Sequence, residues 1–260
     1  MLCPTGTQGN NPKYDLAPHV INTSWGGSSD GETWYQSTVD AWQKAGIIPV
    51  VANGNASPIC ATVASLGDYK NVIGVGAIIT TEKLASFSSR GPSPDKRIKP
   101  DVSTPGQDVQ SAWKHRQLGL QHHLRYLHGP AHVTGAVALY LASHKGVTFN
   151  DVLNALTSTV DTATLTPNGA NCGGVSDSKF SNNNYGYGRI NVAKAAGVSP
   201  SPSVHADQCS HDWRTNDSCS AACGNCANCY YPGGNRCLTG YTKSDCTYYS
   251  SSYGTIWCGN

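Results

Sequence analysis

Charged residues are scarce in this sequence: Lys, Arg, Asp and Glu make up 13% of its 260 residues and balance to a net charge of +2. With neither a basic stripe nor an acidic block, nothing points to nucleic acid or to a charged membrane surface. Long apolar runs are missing too. The longest, around Ala136 to Ala142, is far short of the roughly 20 residues that a membrane-spanning helix needs, so no membrane span is expected. Nor is there a secretory signal, because Met1-Leu2-Cys3-Pro4 has neither a basic start nor an apolar stretch behind it. Since Asp15 to Ser24 already reads as the interior of a fold, the start is read as a truncation. Cysteine, by contrast, is plentiful. Eleven cysteines, among many Gly, Ser, Thr, Asn and Tyr residues, fit an extracellular, oxidising setting better than a reducing cytosol.

Three short runs rich in β-branched residues, Val20 to Ser24, Ile47 to Ala52 and Val72 to Ile78, each end at Gly, Asn or Ser and read as buried strands. Between the first two, Tyr35, Val39 and Trp42 recur at helical spacing, with Asp30 and Glu32 ahead and Gly46 behind. A strand, a helix of about 15 residues and a second strand make a βαβ unit, which predicts a parallel sheet with helices on its faces. The fold class is α/β. Residues 131–144 carry small and apolar side chains on nearly every side, the pattern of a helix buried at the centre of a molecule. Phe149, Val152, Leu153 and Leu156 mark another helix, with Thr148 as N-cap and Asp151 completing a capping box.

After Ala196 the composition changes. Residues 198–206, with Ser199-Pro200-Ser201-Pro202-Ser203 at their centre, read as an extended linker between a main domain, 1–197, and a cysteine-rich module, 207–260. The module has few aliphatic residues and needs crosslinks to hold a shape.

Seven segments occur in one order: VINTSWGG (20–27), AGIIPVVANGNAS (45–57), VIGVGAI (72–78), LASFSSRGP (84–92), KPDVSTPG (99–106), HVTGAVAL (132–139) and YGYGRINVAKA (185–195). Together they resemble the subtilisin family of serine proteases, particularly its bacillopeptidase-like secreted branch. The resemblance covers residues 1–197 and none of the tail. It implies hydrolysis of protein or peptide substrates through an acyl-enzyme, without an organic cofactor. It also implies structural calcium, for which no acidic loop marks a site.

By the same resemblance Asn55 matches the oxyanion-hole asparagine, a donor aimed at charge that builds on the carbonyl oxygen during acyl transfer. Ser24, Trp25 and Gly26, with Ala52 and Gly54, match the segments that bind an extended substrate; there, main-chain pairing gives affinity and pockets select side chains. The family's Asp and His motifs precede the strand matching VINTSWGG and are expected upstream of Met1. None of the histidines present stands in an acid or nucleophile motif.

The nucleophile position departs from the family. Where the family carries GTSMAxPHV, residues 125–131 read Arg-Tyr-Leu-His-Gly-Pro-Ala, and Leu127 occupies the place of the serine. Leucine has no hydroxyl and cannot form an acyl-enzyme. A permitted codon choice for residues 117–130, read one nucleotide forward, spells NSAYNTISGTSMA, which restores the family pattern in register. A pair of compensating frameshifts, near residues 114–117 and 130–132, would account for this segment.

In the tail, Cys223, Cys226 and Cys229 have a spacing that could ligate a metal, but disulfides are the preferred reading for eight cysteines in a secreted chain: Cys209, Cys219, Cys223, Cys226, Cys229, Cys237, Cys246 and Cys258. No metal site is assigned. Of the remaining three, Cys60 and Cys172 are the expected pair, with the partner of Cys3 lost in the truncation. The tail's Tyr and Trp side chains suggest an alternative function: a catalytically dead secreted protein that binds a carbohydrate or cell-wall surface.

Overall fold

The computed structural model describes residues 2–27, 30–112, 120–123, 128–198, 229–231, 236–238, 242–247 and 256–257. The chain divides into two units, Met1–Ser199 and Pro200–Asn260.

Four strands of the first unit, β1 (Val20–Thr23), β2 (Ile48–Ala52), β3 (Ile73–Ile78) and β4 (Val102–Pro105), form a parallel sheet in that order. Because side chains alternate across a strand, β2 sends Ile48 and Val50 to one face and Val51 to the other. The first face meets Val133, Val137 and Tyr140 of α2 (His128–Ser143) and Val152 and Leu156 of α3 (Phe149–Ser158). The second meets Val39 and Trp42 of α1 (Gln36–Lys44) together with Leu66 and Tyr69. The fold is thus α/β, with helices on both faces of a parallel sheet. Each fully buried Val or Ile of these layers contributes about 1.5 to 3 kcal/mol relative to an exposed side chain.

The helix α1 is shorter than its sequence pattern predicts, 9 residues in place of 15. Asp30 and Glu32 imitate first-turn acids, yet the backbone amides of Gly31 and Glu32 donate to Asp68 Oδ2 (2.7 Å) and Ser65 Oγ (2.9 Å). Those bonds hold the segment as a loop until Gln36. Gly46, at φ +76°, then turns the chain into β2.

The expectation that the central helix is buried on every side is also corrected. Gly129, Pro130, Val133, Ala136, Val137 and Tyr140 of α2 are buried, whereas Ala131, Gly135, Ala138 and Ala142 are exposed and Leu139 is 61% exposed. A helix that is apolar all round meets packing on one face only. Helix α3 carries its capping box as expected, with the Thr148 side chain accepting from the Asp151 amide and Asp151 accepting from the Thr148 amide.

Smaller elements complete this unit: antiparallel β5 (Val109–Ala112) and β6 (Leu120–His123), the hairpin β7 (Asn171–Cys172) and β8 (Val175–Ser176), and α4 (Val192–Ala195). In the second unit, β9 (Cys229–Tyr231) lies between β10 (Arg236–Leu238) and β11 (Ile256–Trp257) in an antiparallel sheet. Cys229 is bonded to Cys246, and Cys237 is disulfide-bonded as well. As a disulfide sulfur, Cys229 is not the free thiolate that metal ligation requires. Cys209, Cys219, Cys223, Cys226 and Cys258 lie outside the described residues.

Candidate active site

The chain leaves the end of β2 in a turn fixed by its neighbours. Ala52 is the last strand residue, and Asn53 is 1% exposed. The Asn53 amide donates to Val75 O at 2.9 Å, its carbonyl accepts from the Ala64 amide at 3.0 Å, and its Nδ2 donates to Ser89 O at 2.8 Å. Gly54 has φ +110°, and a Cβ there would lie 2.8 Å from Ser89 Oγ. Only glycine combines that conformation with that contact. The turn leaves Asn55 exposed at the carboxyl end of the sheet, where open α/β sheets place their ligands.

A second strip leaves β1. Ser24 is half-buried and its Oγ accepts from Asn22 Nδ2 at 3.0 Å, while Trp25 is 50% exposed. Gly26 lies against Ser65, whose carbonyl oxygen would sit 2.8 Å from a Cβ at that position, and the Gly27 amide donates to the same oxygen. Gly67 presses in turn on Ala52 O, 2.7 Å from where its Cβ would be. Residues 65–67 thereby lie between the strip at 24–27 and the turn at 52–54. Of the five residues expected to bind substrate, Ser24, Trp25, Gly26, Ala52 and Gly54, the structure brings Gly26 and Ala52 against this shared segment.

Trp25 heads a row of aromatic rings that leads back to the core. Its ring stacks with Trp34 at 6.3 Å and meets Tyr35 edge-on at 5.5 Å, and Tyr35 meets buried Trp42 at 5.6 Å. Trp34 Nε1 donates to Glu32 Oε2 at 2.7 Å. Sequence reasoning missed Ser65, Asp68 and Ser89 as supports of the site. Asp68 accepts from Ser65 Oγ at 3.0 Å as well as from the Gly31 amide, and so ties residues 65–68 to the loop before α1. Beside this clamp lies a pocket of about 220 Å³, lined by Glu32, Gln36, Asp68, Tyr69 and Arg97 among others, but not by Asn55 or Trp25. Burial pushes the Tyr69 phenol up from its ordinary value.

Leu127 lies outside the described residues. The helix it precedes begins at His128, and Thr104 Oγ1 donates to Gly129 O at 3.1 Å, which fixes the helix entrance against β4. Among the described residues no three His, Cys, Asp or Glu side chains come together to hold a metal ion. Asp101 and Asp161 instead face cations of the chain itself, Lys99 for the first and Arg189 and Lys194 for the second. Those carboxylates do not make a calcium-binding set. The disulfide between Cys60 and Cys172 joins the loop after Asn55 to β7, and Cys3 is a free thiol.

A parallel sheet with helices on both faces, ending in an exposed asparagine turn beside a glycine-rich strip, defines an α/β protein of subtilisin-like fold. The family model for peptidase S8, described as the subtilase family, matches residues 7–188, and the chain belongs to that family. It is similar to bacillopeptidase F of Bacillus subtilis (strain 168), with 32% identity over 202 residues that make up 75% of this chain and 13% of that protein. Subtilisin DY of Bacillus licheniformis is 33% identical over 183 residues, 68% of this chain and 56% of the relative. Serine protease AprX of Bacillus subtilis (strain 168) is 42% identical over 117 residues, 40% of this chain and 26% of the relative. The chain therefore spans well under two thirds of the length of these relatives.

Proposed function

We propose that this chain carries the substrate-binding and oxyanion-hole part of a subtilisin-type serine endopeptidase that acts on extracellular protein or peptide substrates. With leucine at position 127, the 260-residue chain itself hydrolyses no peptide bond. Residues 1–197 form the peptidase part, 198–206 a linker and 207–260 a crosslinked module.

The observation that supports this reading best is the presentation of Asn55. Its side chain is exposed on a turn whose flanking residues, Asn53, Gly54 and Ala56, are all bonded to buried Ser89. A donor held in place before the reaction costs no reorganisation as charge develops on the carbonyl oxygen; in subtilisin-type chemistry one such donor lowers the barrier by about 3 to 4 kcal/mol. By the resemblance, Ser24, Trp25 and Gly26 pair with an extended peptide beyond β1, and Ala52 and Gly54 belong to the second segment that binds it. Attack on the carbonyl then requires a hydroxyl at position 127, which leucine does not supply.

Binding can be tested apart from turnover. Titration of the isotope-labelled 260-residue chain with an extended hexapeptide should shift the amide resonances of Ser24, Trp25, Gly26 and Gly54 and the side-chain amide of Asn55. Shifts confined to other surfaces at millimolar peptide would overturn the assignment.

A further inference from the structure

Of the seven segments singled out in the sequence, LASFSSRGP is given no catalytic or substrate-binding residue by the resemblance, although its centre is buried: Ser88 is 1% and Ser89 0% exposed. Residues 87–91 run as a rail beside the oxyanion turn and its loop. Phe87 O accepts from the Ser57 amide at 3.2 Å, Arg90 O from the Thr62 amide at 2.8 Å, and Gly91 O from the Ala61 amide at 3.0 Å. Ser89, at the middle, spends all three of its polar groups on the turn. Its amide donates to Gly54 O at 3.0 Å, its carbonyl accepts from Asn53 Nδ2 at 2.8 Å, and its Oγ accepts from the Ala56 amide at 2.9 Å. These bonds fall on both sides of Asn55, and the absent Cβ of Gly54 leaves the space that Ser89 Oγ occupies.

We propose that Ser89 is a positioning residue for the oxyanion donor: its hydroxyl fixes the Ala56 amide, and its backbone fixes Asn53 and Gly54, so that the exposed Asn55 side chain keeps one direction. The proposal rests on the reading of Asn55 as that donor. A bonded turn cannot swing Asn55 without giving up one of these hydrogen bonds, of which the one from Asn53 Nδ2 to Ser89 O is buried and therefore costly to leave unmade.

The neighbouring serine supplies the control. Ser88 Oγ also accepts one backbone amide, that of Ala77 at 2.9 Å, but within the sheet and away from the turn. In Ser89→Ala, the Ala56 amide should exchange with solvent about five- to tenfold faster, and the Asn55 side-chain amide resonances should move toward averaged values. In Ser88→Ala, the Ala77 amide should accelerate while Asn55 stays unchanged, with a comparable fall in Tm. A purely structural role would lower Tm in both variants and leave Asn55 alone in both, and that outcome overturns the proposal. Should Ser89→Ala not fold, exchange in the unmutated chain decides, since an Ala56 amide exchanging at open-loop rates also overturns it. If peptide fails to perturb Asn55 while Ser89→Ala does, the oxyanion reading fails and only the hold of Ser89 on the Asn55 side chain survives; the reverse pair of results sinks only the role of Ser89.

Discussion

The ammonium of Lys99 donates to Asp101 Oδ2 at 2.6 Å from a side chain that is 1% exposed, and the same carboxylate oxygen accepts the Gly74 amide at 2.6 Å. Lys99 Nζ also donates to Val72 O at 3.3 Å, so the pair joins the start of β3 to the start of β4 beneath the sheet. Removing one partner of a buried pair leaves the other charge without compensation, at a cost of about 3 to 5 kcal/mol. Lys99→Met should therefore destabilise the main unit by about 3 kcal/mol in urea titration, since Asp101 keeps the Gly74 amide. A loss under about 1 kcal/mol would show that Asp101 is solvated once Lys99 is gone.

Asp161 should make stability depend on acid pH. Its carboxylate accepts from Lys194 Nζ, from Asn191 Nδ2 at 2.9 Å and from Arg189 Nη2 at 3.0 Å. Lys194 is the largest cause, and against the opposing effect of burial these donors lower the carboxyl from 3.8 to about 2. A pKa depressed by folding means that the stabilisation is fully present above about pH 4 and is lost as pH falls toward 2. With Asp161 partly exposed to solvent, Asp161→Asn should cost on the order of 1 kcal/mol at pH 7. The gap between variant and parent should narrow at pH 3. An equal gap at both pH values would remove Asp161 from the acid response.

The disulfide between Cys60 and Cys172 closes a sequence separation of 112 residues, so its main effect is to restrict the unfolded chain. Replacing both cysteines by serine should lower stability by about 2 to 4 kcal/mol. Because Cys60 lies five positions after Asn55, residues 55–60 should also exchange their amides faster in the variant. Unchanged exchange there, with stability lost, would confine the crosslink's role to the unfolded state.

Strands β1, β2 and β3 were legible because each is a short apolar run rich in β-branched residues. The capping box of α3 was legible because Thr148 and Asp151 are three residues apart. The start of α1 was not, since the groups that hold Gly31 and Glu32 out of the helix, Asp68 and Ser65, lie 37 and 33 residues away. The same limit hid Ser89, which acts on Asn53 from 36 residues away. Local pattern shows which residues can turn or pack; it does not show which distant hydroxyl or carboxylate a given amide will meet. The proposal of Asn55 and Ser24 as site residues rests on the order of whole segments, a signal that chemistry at one position could not supply.

Across residues 117–130, a reading moved forward by one nucleotide places serine at position 127 and alanine at position 129. At the helix entrance an added Cβ on Gly129 would meet Thr104 Oγ1 at 3.1 Å and Val75 Cγ1 at 3.4 Å. Alanine therefore fits there if the neighbours give by a few tenths of an ångström. The restored string also puts glycine in place of Arg125 and methionine in place of His128, the first residue of the apolar helix α2, which removes a polar side chain from that helix. Restoring NSAYNTISGTSMA from residue 117 should accordingly raise Tm relative to the chain as written. Activity should stay absent in both forms, because a serine hydroxyl without a histidine to take its proton is a poor nucleophile. A pure preparation of either form should leave casein intact and take up no fluorophosphonate. Genomic DNA with no frame encoding GTSMA across this segment would rule out the frameshift. A restored chain that takes up the label on the serine at position 127 would show that a general base is present among these 260 residues after all.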